Sequence, residues 1–475
     1  MLGILIQPLT LLSRNVLSPA PEFFSSIASV LMVFLLAFLL WKNRKTFELQ
    51  FSSSFIFAKV LFFISQAIAI LYSFLIFQAH DDNLFLSYLN FLLFLAYLAV
   101  IFLVLRMILS NERSFVQFFK GIYLSGGIML LIVVLQLIYL KTGFLKVPVK
   151  FIMDVFGRNT FNYAPNTGDL LTGWKALNTL GHPIGLMMTG DGIASWFGLT
   201  VIPFALAAYK NRLYFPELRK MSGLVHAIVL VLIITALFLS GDGIAYLIAM
   251  ITLILFISFI FARSGMSDGK TRLITYPVVG ILILVMLFGE TGFLGRGFME
   301  HMNFLQTNVE MRANIEALWT TFIHHPIFGV GFQGSSNWNI LNVPTHYIAQ
   351  SSAVQHFMAT NYFPPQVAIL QAAAELGLIL LVPVLGFGFR VKIDFTELVN
   401  RLKSSDASEG SKRFWATLND ALFFFWFYFV FISFTNFDWT NISDIMVTLF
   451  FIVAKNYLQK YVNRIAPIDW EGNIK

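Results

Sequence analysis

The sequence predicts an all-α, polytopic integral membrane protein with about 11–12 transmembrane helices and two long loops on one side. Of its 475 residues, 57% are hydrophobic and 12% are charged. In soluble domains about 45–50% of residues are apolar and about 25% are charged. The apolar residues form long continuous runs, not the short alternating segments of a β-barrel. This composition also excludes intrinsically disordered and collagen-like chains, and the absence of cysteine excludes a disulfide scaffold.

Eleven segments are long and apolar enough to span a bilayer, which takes roughly 20 residues of helix. In chain order they are 22–41, 55–78, 84–108, 119–140, 191–209, 223–240, 243–262, 273–290, 365–388, 419–436 and 443–459. Residues 1–12 are apolar but short, and Pro8 interrupts them. They are therefore expected to be either a twelfth, broken span or an interfacial segment.

The cationic residues predict which side each loop faces. The chain has 32 Lys plus Arg against 25 Asp plus Glu, a net charge of +7. In a soluble protein this surplus would suggest nucleic acid, but in a membrane protein cytoplasmic loops collect Lys and Arg. One set of alternate loops holds 23 of the 32, and the loops of this set begin at Lys42, Arg106, Lys210, Arg263, Arg390 and Lys455. We therefore expect these loops and the C-terminus to be cytoplasmic.

The loop lengths divide the chain into five parts. They are N-terminal transmembrane helices at 1–140, a first long outer loop at 141–190, central helices at 191–290, a large outer loop at 291–363, and C-terminal helices with a cytoplasmic loop and tail at 364–475. Long structured loops in compact membrane proteins are usually functional. The basic and apolar segment 144–156 is expected to lie in the membrane interface. The polar cytoplasmic stretch 390–417 is expected to be a flexible linker.

Seven of the eight histidines fall on the outer side, and only His226 does not. Histidine gains and loses a proton near neutrality, which suits it to general acid–base chemistry. Any of these seven histidines is therefore a candidate for such chemistry. The alternative, that outer loops are simply where polar residues can lie, remains open.

The strongest local pattern lies in the large outer loop. It reads Arg312-Ala-Asn-Ile-Glu316-Ala-Leu-Trp319 and continues to His325-Pro326-Ile-Phe-Gly329-Val-Gly331. No Pro or Gly interrupts 309–323, so this segment is predicted to be a helix with Arg312, Glu316 and Trp319 on one face. Pro326 then ends the helix, and the glycines allow a tight turn. An arginine so placed can bind a diphosphate through bidentate hydrogen bonds; the alternative is an Arg312–Glu316 pair on a solvated face.

Together with Ala374-Glu375-Leu376-Gly377-Leu378-Ile379, which opens a span, this pattern resembles the O-antigen ligase/polymerase superfamily. That superfamily holds the lipopolysaccharide O-antigen ligases and the Wzy-type O-antigen polymerases. The resemblance covers about residues 155–390. Looser matches are Phe161-Asn162-Tyr163-Ala164-Pro165-Asn166 with Gly181-His182-Pro183, and the turn Leu239-Ser240-Gly241-Asp242-Gly243.

The resemblance implies a GT-C-like, metal-independent glycosyltransferase without a cofactor, in the bacterial inner (cytoplasmic) membrane. Its donor would be a glycan on undecaprenyl diphosphate, used at the periplasmic face, where both long loops would lie. Membrane lipids and other polysaccharide-assembly membrane proteins are the implied partners, and nucleic acid is not. The catalytic candidates are His356, His346, Arg312 and Glu375. The candidates for substrate binding are Arg158, His182, Arg296, Trp319, His325, Gly329, Gly331 and Asp242.

Two positions depart from the superfamily pattern. Gln366 stands where a histidine presumed to activate the acceptor hydroxyl is common, so His356 or His346 would have to substitute. Asp242 replaces a turn arginine, and it could act as a base or cap the following helix. Glu375, an ionisable group at the mouth of a span, is a functional candidate by position, and we expect it to orient Arg312 or a loop histidine.

The sequence leaves four functions open. They are a polymerase, a ligase that moves glycan to lipid A-core, a lipid-linked oligosaccharide flippase or other transporter, and a scaffold that has lost activity. A transporter would show paired broken helices and internal symmetry, and no convincing repeat is present.

The loop aromatics could stack on sugars or anchor in the interface; they are Trp319, Trp338, Tyr347, Phe357, Tyr362 and Phe363.

Overall fold

The computed structural model describes most of the chain as helix. The described residues are 2–12, 14–16, 26–42, 53–76, 84–160, 171–214, 222–240, 243–263, 309–359, 363, 367–434 and 441–465. Within them one short antiparallel pair occurs, between β1 (Asn159–Thr160) and β2 (Leu171–Thr172). The predicted all-α membrane class is confirmed.

The helices of the first part of the chain include those of the first outer loop. They are α1 (Leu2–Leu9), α2 (Ile27–Lys42), α3 (Ser53–Ile76), α4 (Leu84–Ile108), α5 (Glu112–Thr142), α6 (Lys146–Val155), α7 (Gly173–Leu180), α8 (Gly190–Trp196) and α9 (Ile202–Lys210). A single wide turn, Phe197–Val201, joins α8 to α9.

The helices of the second part include the large outer loop. They are α10 (Ser222–Leu239), α11 (Gly243–Arg263), α12 (Val309–His324), α13 (Ser335–Asn342), α14 (Thr345–Gln350), α15 (Ser352–Ala359), α16 (Ala368–Lys403), α17 (Glu409–Ile432) and α18 (Ile442–Ile465).

Seven helices in the described residues are long and apolar enough to cross a membrane. They are Leu89–Ile108, Glu112–Thr142, Gly192–Lys210, Ile244–Ala262, Ala368–Lys403, Glu409–Ile432 and Ile442–Ile465. Three shorter apolar helices coincide with further predicted spans, namely Ile27–Lys42, Phe63–Ser73 and Gly223–Leu239. The predicted span 273–290 lies outside the described residues. Residues 2–9 form a short helix that contains Pro8.

The centre of the bundle is the segment formed by α8, the wide turn and α9, whose side chains are almost all buried. Phe204 illustrates the packing: its ring lies 5.3 Å from that of Phe119 on α5 and 5.5 Å from that of Phe451 on α18. Aromatic pairs at these separations contribute about 0.5–1.5 kcal/mol beyond the area they bury. The abundant phenylalanine therefore packs the helices together as well as facing lipid.

One prediction for the cytoplasmic side is wrong. Residues 390–417 are not a flexible linker, because α16 continues to Lys403 and α17 begins at Glu409, which leaves a five-residue connection. Phe395 and Leu402 on this extension are buried, and Lys455 pairs with Asp394 at 3.1 Å. The stretch is polar on one face only, and its other face packs against the bundle.

The first outer loop docks on the end of α5. The Gln136 side-chain oxygen accepts hydrogen bonds from the backbone N–H groups of Ile184 (3.0 Å) and Gly185 (2.9 Å). In α6 and just before it, Val147 and Phe144 are strongly exposed while Val149 is buried. This amphipathic helix agrees with the interfacial position predicted for 144–156.

Candidate functional site

The large outer loop is built on α12, which matches the helix predicted for 309–323. One side of α12 is buried against α13, α14, α15 and α16. Its buried residues are Ala313, Asn314, Ala317, Leu318 and Thr321. The Asn342 side-chain amide donates to the Thr321 hydroxyl at 2.8 Å, which ties α13 to this face. Because small side chains line the contact, the helices can approach closely, and the loop has a core of its own.

Arg312 and Glu316 share one tyrosine hydroxyl. The Tyr347 hydroxyl donates to Glu316 Oε1 at 2.5 Å, and the Arg312 guanidinium also hydrogen-bonds this tyrosine. Burial, followed by the Glu316 hydrogen bond, raises the pKa of Tyr347, so the phenol stays protonated and donates. The Tyr347 ring is buried and Arg312 is exposed. The arrangement holds a cationic group at the loop surface, with its carboxylate neighbour bonded to the tyrosine.

Of the two catalytic candidates among the loop histidines, His346 precedes the tyrosine of this cluster in sequence. Its ring centroid is 3.9 Å from that of Tyr347, and its side chain is exposed. His356 is also exposed, on α15, with its ring centroid 6.4 Å from that of Phe357. The structure therefore places His346 beside the tyrosine that Arg312 contacts.

The turn after α12 is hydrogen-bonded to α16 through the backbone. Val330 N donates to Ala374 O at 2.8 Å, and Gly331 N donates to Glu375 O at 3.1 Å. Further along α16, Leu378 N donates to Pro326 O at 2.7 Å and Ile379 N donates to Ile327 O at 3.1 Å. The segments 326–331 and 374–379, which both belong to the motifs that carried the resemblance, are 43 or more residues apart in the chain. Their backbones are nevertheless hydrogen-bonded to each other, as in a pair of strands.

This junction requires a break in α16. Gly377 has φ 62° and ψ 176°, which is not helical, and glycine reaches such a conformation without steric cost. A β-carbon at Gly377 would collide with the Ile327 carbonyl, and one at Gly329 (φ 70°) would collide with the Glu375 carbonyl. The glycines therefore allow two backbones to meet at hydrogen-bonding distance, and the turn takes up backbone groups that the broken helix leaves free.

Glu375 lies fully buried beneath this turn. Its Oε1 accepts a hydrogen bond from the Ser335 hydroxyl at 2.6 Å and from the Gln371 side-chain amide at 3.0 Å. Among the described residues its buried Oε2 has no hydrogen-bond partner. The carboxyl group that was expected to orient Arg312 or a histidine instead holds the start of α13 against α16.

Helix α3 contributes residues that the sequence analysis did not select. The Ser73 hydroxyl donates to Val330 O, and Trp338 Nε1 donates to the Ser73 oxygen at 3.1 Å. The Gln66 side-chain amide donates to Glu375 O at 3.4 Å. Polar side chains inside an otherwise apolar span were the available signal, since such residues commonly face a protein partner.

His325 sits in an aromatic setting at the same junction. Its ring centroid is 4.2 Å from that of Trp338 and 5.5 Å from that of Tyr72, which is itself half exposed. Burial, followed by the charge of neighbouring His324, lowers the pKa of His325. His325 is therefore mostly neutral at neutral pH and packs as a ring.

Arg312 and His325 belong to different parts of the site. They are separated by 13 positions along and just beyond one helix, or about 20 Å at 1.5 Å per residue. The sequence pattern that spans both therefore combines a charged surface cluster at one end with an anchoring turn at the other.

The remaining predicted residues are dispersed. Trp319 is exposed at 51%. Trp338, Tyr347 and Phe363 are buried, so they do not present their rings at the loop surface. Tyr347 and Phe363 belong to the loop core, whereas Trp338 packs against Tyr72 and His325. The backbone N–H of Arg158 bonds to Leu186 O at 3.0 Å in the first outer loop, where His182 is half-buried. The residues that lie outside the described part are Asp242, Arg296, Tyr362 and Gln366.

No group of three or more His, Asp or Glu side chains within the described ranges is placed to hold a metal ion.

Residues 228–385 match the Wzy_C family model, described as O-antigen ligase. No curated protein and no solved structure matches the chain. The matched segment contains α12 and its turn, together with the Glu375–Gly377 segment of α16. The match supports the resemblance to the O-antigen ligase/polymerase superfamily, and the matched range includes the residues that form the backbone junction.

Proposed function

We propose that this chain, whose residues 228–385 match the O-antigen ligase family model, is a glycosyltransferase acting at the periplasmic face of the bacterial inner membrane. It would move a glycan from undecaprenyl diphosphate and extend O-antigen or another surface polysaccharide. The observation that carries the proposal is the junction between residues 326–331 and 374–379. This junction fixes α12, and with it Arg312, to a membrane-spanning helix.

In this proposal Arg312 binds the diphosphate of the donor. The leaving group carries negative charge, and a guanidinium can neutralise it through two parallel hydrogen bonds. Because Tyr347 donates to Glu316, the carboxylate is held by a second partner beside the arginine. Arg312 is therefore oriented by its neighbours and exposed toward a ligand. Arg158 and Arg296 remain secondary candidates.

His346 is the preferred base for the acceptor hydroxyl, and His356 is the alternative. The support for His346 is its ring contact with Tyr347, which brings it to the Arg312 cluster. A neutral imidazole can take the proton of an attacking sugar hydroxyl. Glu375 has a positioning role, because its carboxyl group is buried on Ser335 and Gln371. The reaction is proposed to need neither metal nor cofactor.

A ligase that transfers glycan to lipid A-core is the alternative within the same class. A flippase or transporter is the alternative of another class, and the break at Gly377 is the one feature that favours it, since transporter sites use discontinuous helices. Here, however, the turn at 326–331 binds the freed backbone groups. The break thus serves to hold the loop, which supports a loop-based enzyme.

A strain lacking the gene separates these functions when its surface polysaccharide is run on a gel. A single repeat on lipid A-core is expected, because a missing polymerase stops chain extension. Polymer stranded on the carrier lipid would instead identify a ligase. An unchanged pattern, or repeats retained on the cytoplasmic side, would contradict both glycosyltransferase assignments.

A further inference from the structure

The exposed face of α12 changes character along its length. In the first half this face carries Arg312 and Glu316 together with Ile315, which is 37% exposed. In the second half it carries Trp319, 51% exposed, and Ile323, 53% exposed. A helix face in water is normally polar, and a contiguous exposed apolar stripe marks an interaction surface.

The stripe continues into the transmembrane surface. Ile327, which follows α12, is exposed, and Ile379 N of α16 bonds to its carbonyl. Leu378 and Val382, one turn apart on α16, are exposed on the outer surface of this span. A span surface of this kind faces lipid. The apolar stripe of α12 is therefore an extension of a lipid-facing surface.

We propose that the second half of α12 docks into the bilayer, with the acyl chains next to the outer end of α16 covering Trp319, Ile323 and Ile327. Continuity with the lipid-facing side of α16 selects the bilayer over a soluble protein or a second copy of the chain. Tryptophan is favoured at the depth where head groups meet acyl chains. An amphipathic helix buries its apolar face about 5–10 Å into that boundary.

This docking would set the depth of Arg312. Seven positions separate Arg312 from Trp319, or about 10 Å along the helix. With the tryptophan in the interface, the arginine lies at or just above the head groups. A carrier lipid with its tail in the bilayer presents its diphosphate at that level. This last step rests on the proposed function, whereas the docking of α12 does not.

The chain contains no cysteine, so single introduced cysteines can be spin-labelled without background. We would label Ile323→Cys and, separately, Trp319→Cys in the full chain in lipid nanodiscs, and measure collisions with oxygen and with a water-soluble nickel chelate. Val382→Cys serves as the lipid reference, and Leu341→Cys, 58% exposed on α13, as the water reference.

Collision ratios favouring oxygen, close to that of Val382→Cys, are expected for both stripe labels. Ratios like that of Leu341→Cys would overturn the proposal, because they would place the stripe in water. Protection from both reagents would also overturn it by indicating a protein contact. These outcomes need no activity measurement. The docking of α12 can therefore be disproved while the proposed function stands, and the proposed function can be disproved while the docking stands.

Discussion

At the residue scale, the exposed arginine and the buried glutamate of the site differ in what surrounds them. Arg312 lies at the surface, where its guanidinium and Glu316 meet the Tyr347 hydroxyl. Glu375 is fully buried with hydrogen bonds from Ser335 and Gln371. Substitution should therefore affect ligand binding at the first position and folding of the loop at the second.

Arg312→Ala should abolish polymer formation while leaving the amount of membrane protein unchanged, because the exposed side chain contributes little to packing. Arg312→Lys should retain a small part of the activity, since an ammonium keeps the charge but loses the bidentate geometry. Complementation of the deletion strain, read as polysaccharide length on a gel, measures this. Arg113→Ala, exposed near the start of α5, is the matched control. Normal glycan length with Arg312→Ala would remove this residue from the mechanism.

Glu375→Ala should lower the free energy of unfolding of the loop, because the Ser335 hydroxyl and the Gln371 amide would lose their acceptor. Leaving a buried polar group unsatisfied costs about 1–3 kcal/mol. Glu375→Gln keeps an acceptor oxygen and should be milder. Thermal unfolding in detergent measures both variants. A stable but inactive Glu375→Gln protein would show that the charge itself takes part in the reaction.

His325 should make the junction sensitive to acid. Its pKa is lowered from 6.5 in the folded protein, so between that lowered value and about 6.5 the unfolded state binds more protons. Stability is therefore complete above pH of about 6.5 and falls as the pH drops further. Hydrogen exchange of residues 326–335 at pH 7.5 and 5.5 measures the effect. His325→Gln should reduce the difference, and an equal acid response in that variant would assign it to another group.

At the element scale, the break in α16 is a device for attaching a loop to a span. Two backbone segments that would otherwise be a helix and a free turn exchange hydrogen bonds at four points. Ser73 and Gln66 of α3 donate to the same segments from the other side. Within the described residues, the end of α12 is thus an anchoring point of the large outer loop on the membrane domain.

The role of this break can be tested by restoring a side chain. Gly377→Ala should disrupt the junction, because alanine is strained at φ 62° and its β-carbon would meet the Ile327 carbonyl. Strain of this kind costs about 1–3 kcal/mol, before the collision is counted. Gly386→Ala on the same helix has no atom within 4 Å of the new β-carbon and should be neutral or slightly stabilising.

Limited proteolysis of the loop and glycan length together measure both glycine variants. Faster cleavage near residues 326–335 with loss of polymer is expected for Gly377→Ala only. If Gly386→Ala had the same effect, the result would reflect general sensitivity of α16 and would contradict a specific junction.

At the scale of the whole molecule, the charge bias predicts that the outer loops and the 404–408 connection lie on opposite sides of the membrane. Asp406 and Ala349 are both exposed, and the chain has no cysteine of its own. Ala349→Cys in intact cells should react with a membrane-impermeant maleimide, whereas Asp406→Cys should react only after the inner membrane is permeabilised. The reverse pattern would invert the topology and, with it, the face on which the site works.

The sequence by itself determined the membrane class, the position of most spans and the helix at 309–323. These follow from composition and from local periodicity, because a stretch of apolar residues partitions into the bilayer whatever its neighbours are. The end of α12 before Pro326 was likewise predictable from local sequence, because proline cannot continue a helix. The charged residues of 390–417 predicted a linker, although these helices also have an apolar face that packs against the bundle.

Only the tertiary structure decided which of the motif residues meet. Periodicity shows which face of a helix is apolar but not what covers it, so the burial of Trp338 and Tyr347 could not be read from their positions. The pairing of Val330 with Ala374, and of Ser73 with Val330 across 257 positions, depends on how distant spans pack. Backbone hydrogen bonds carry no side-chain signature in sequence. The sequence shows the glycines that permit the junction, but it does not show which backbone segment packs against them.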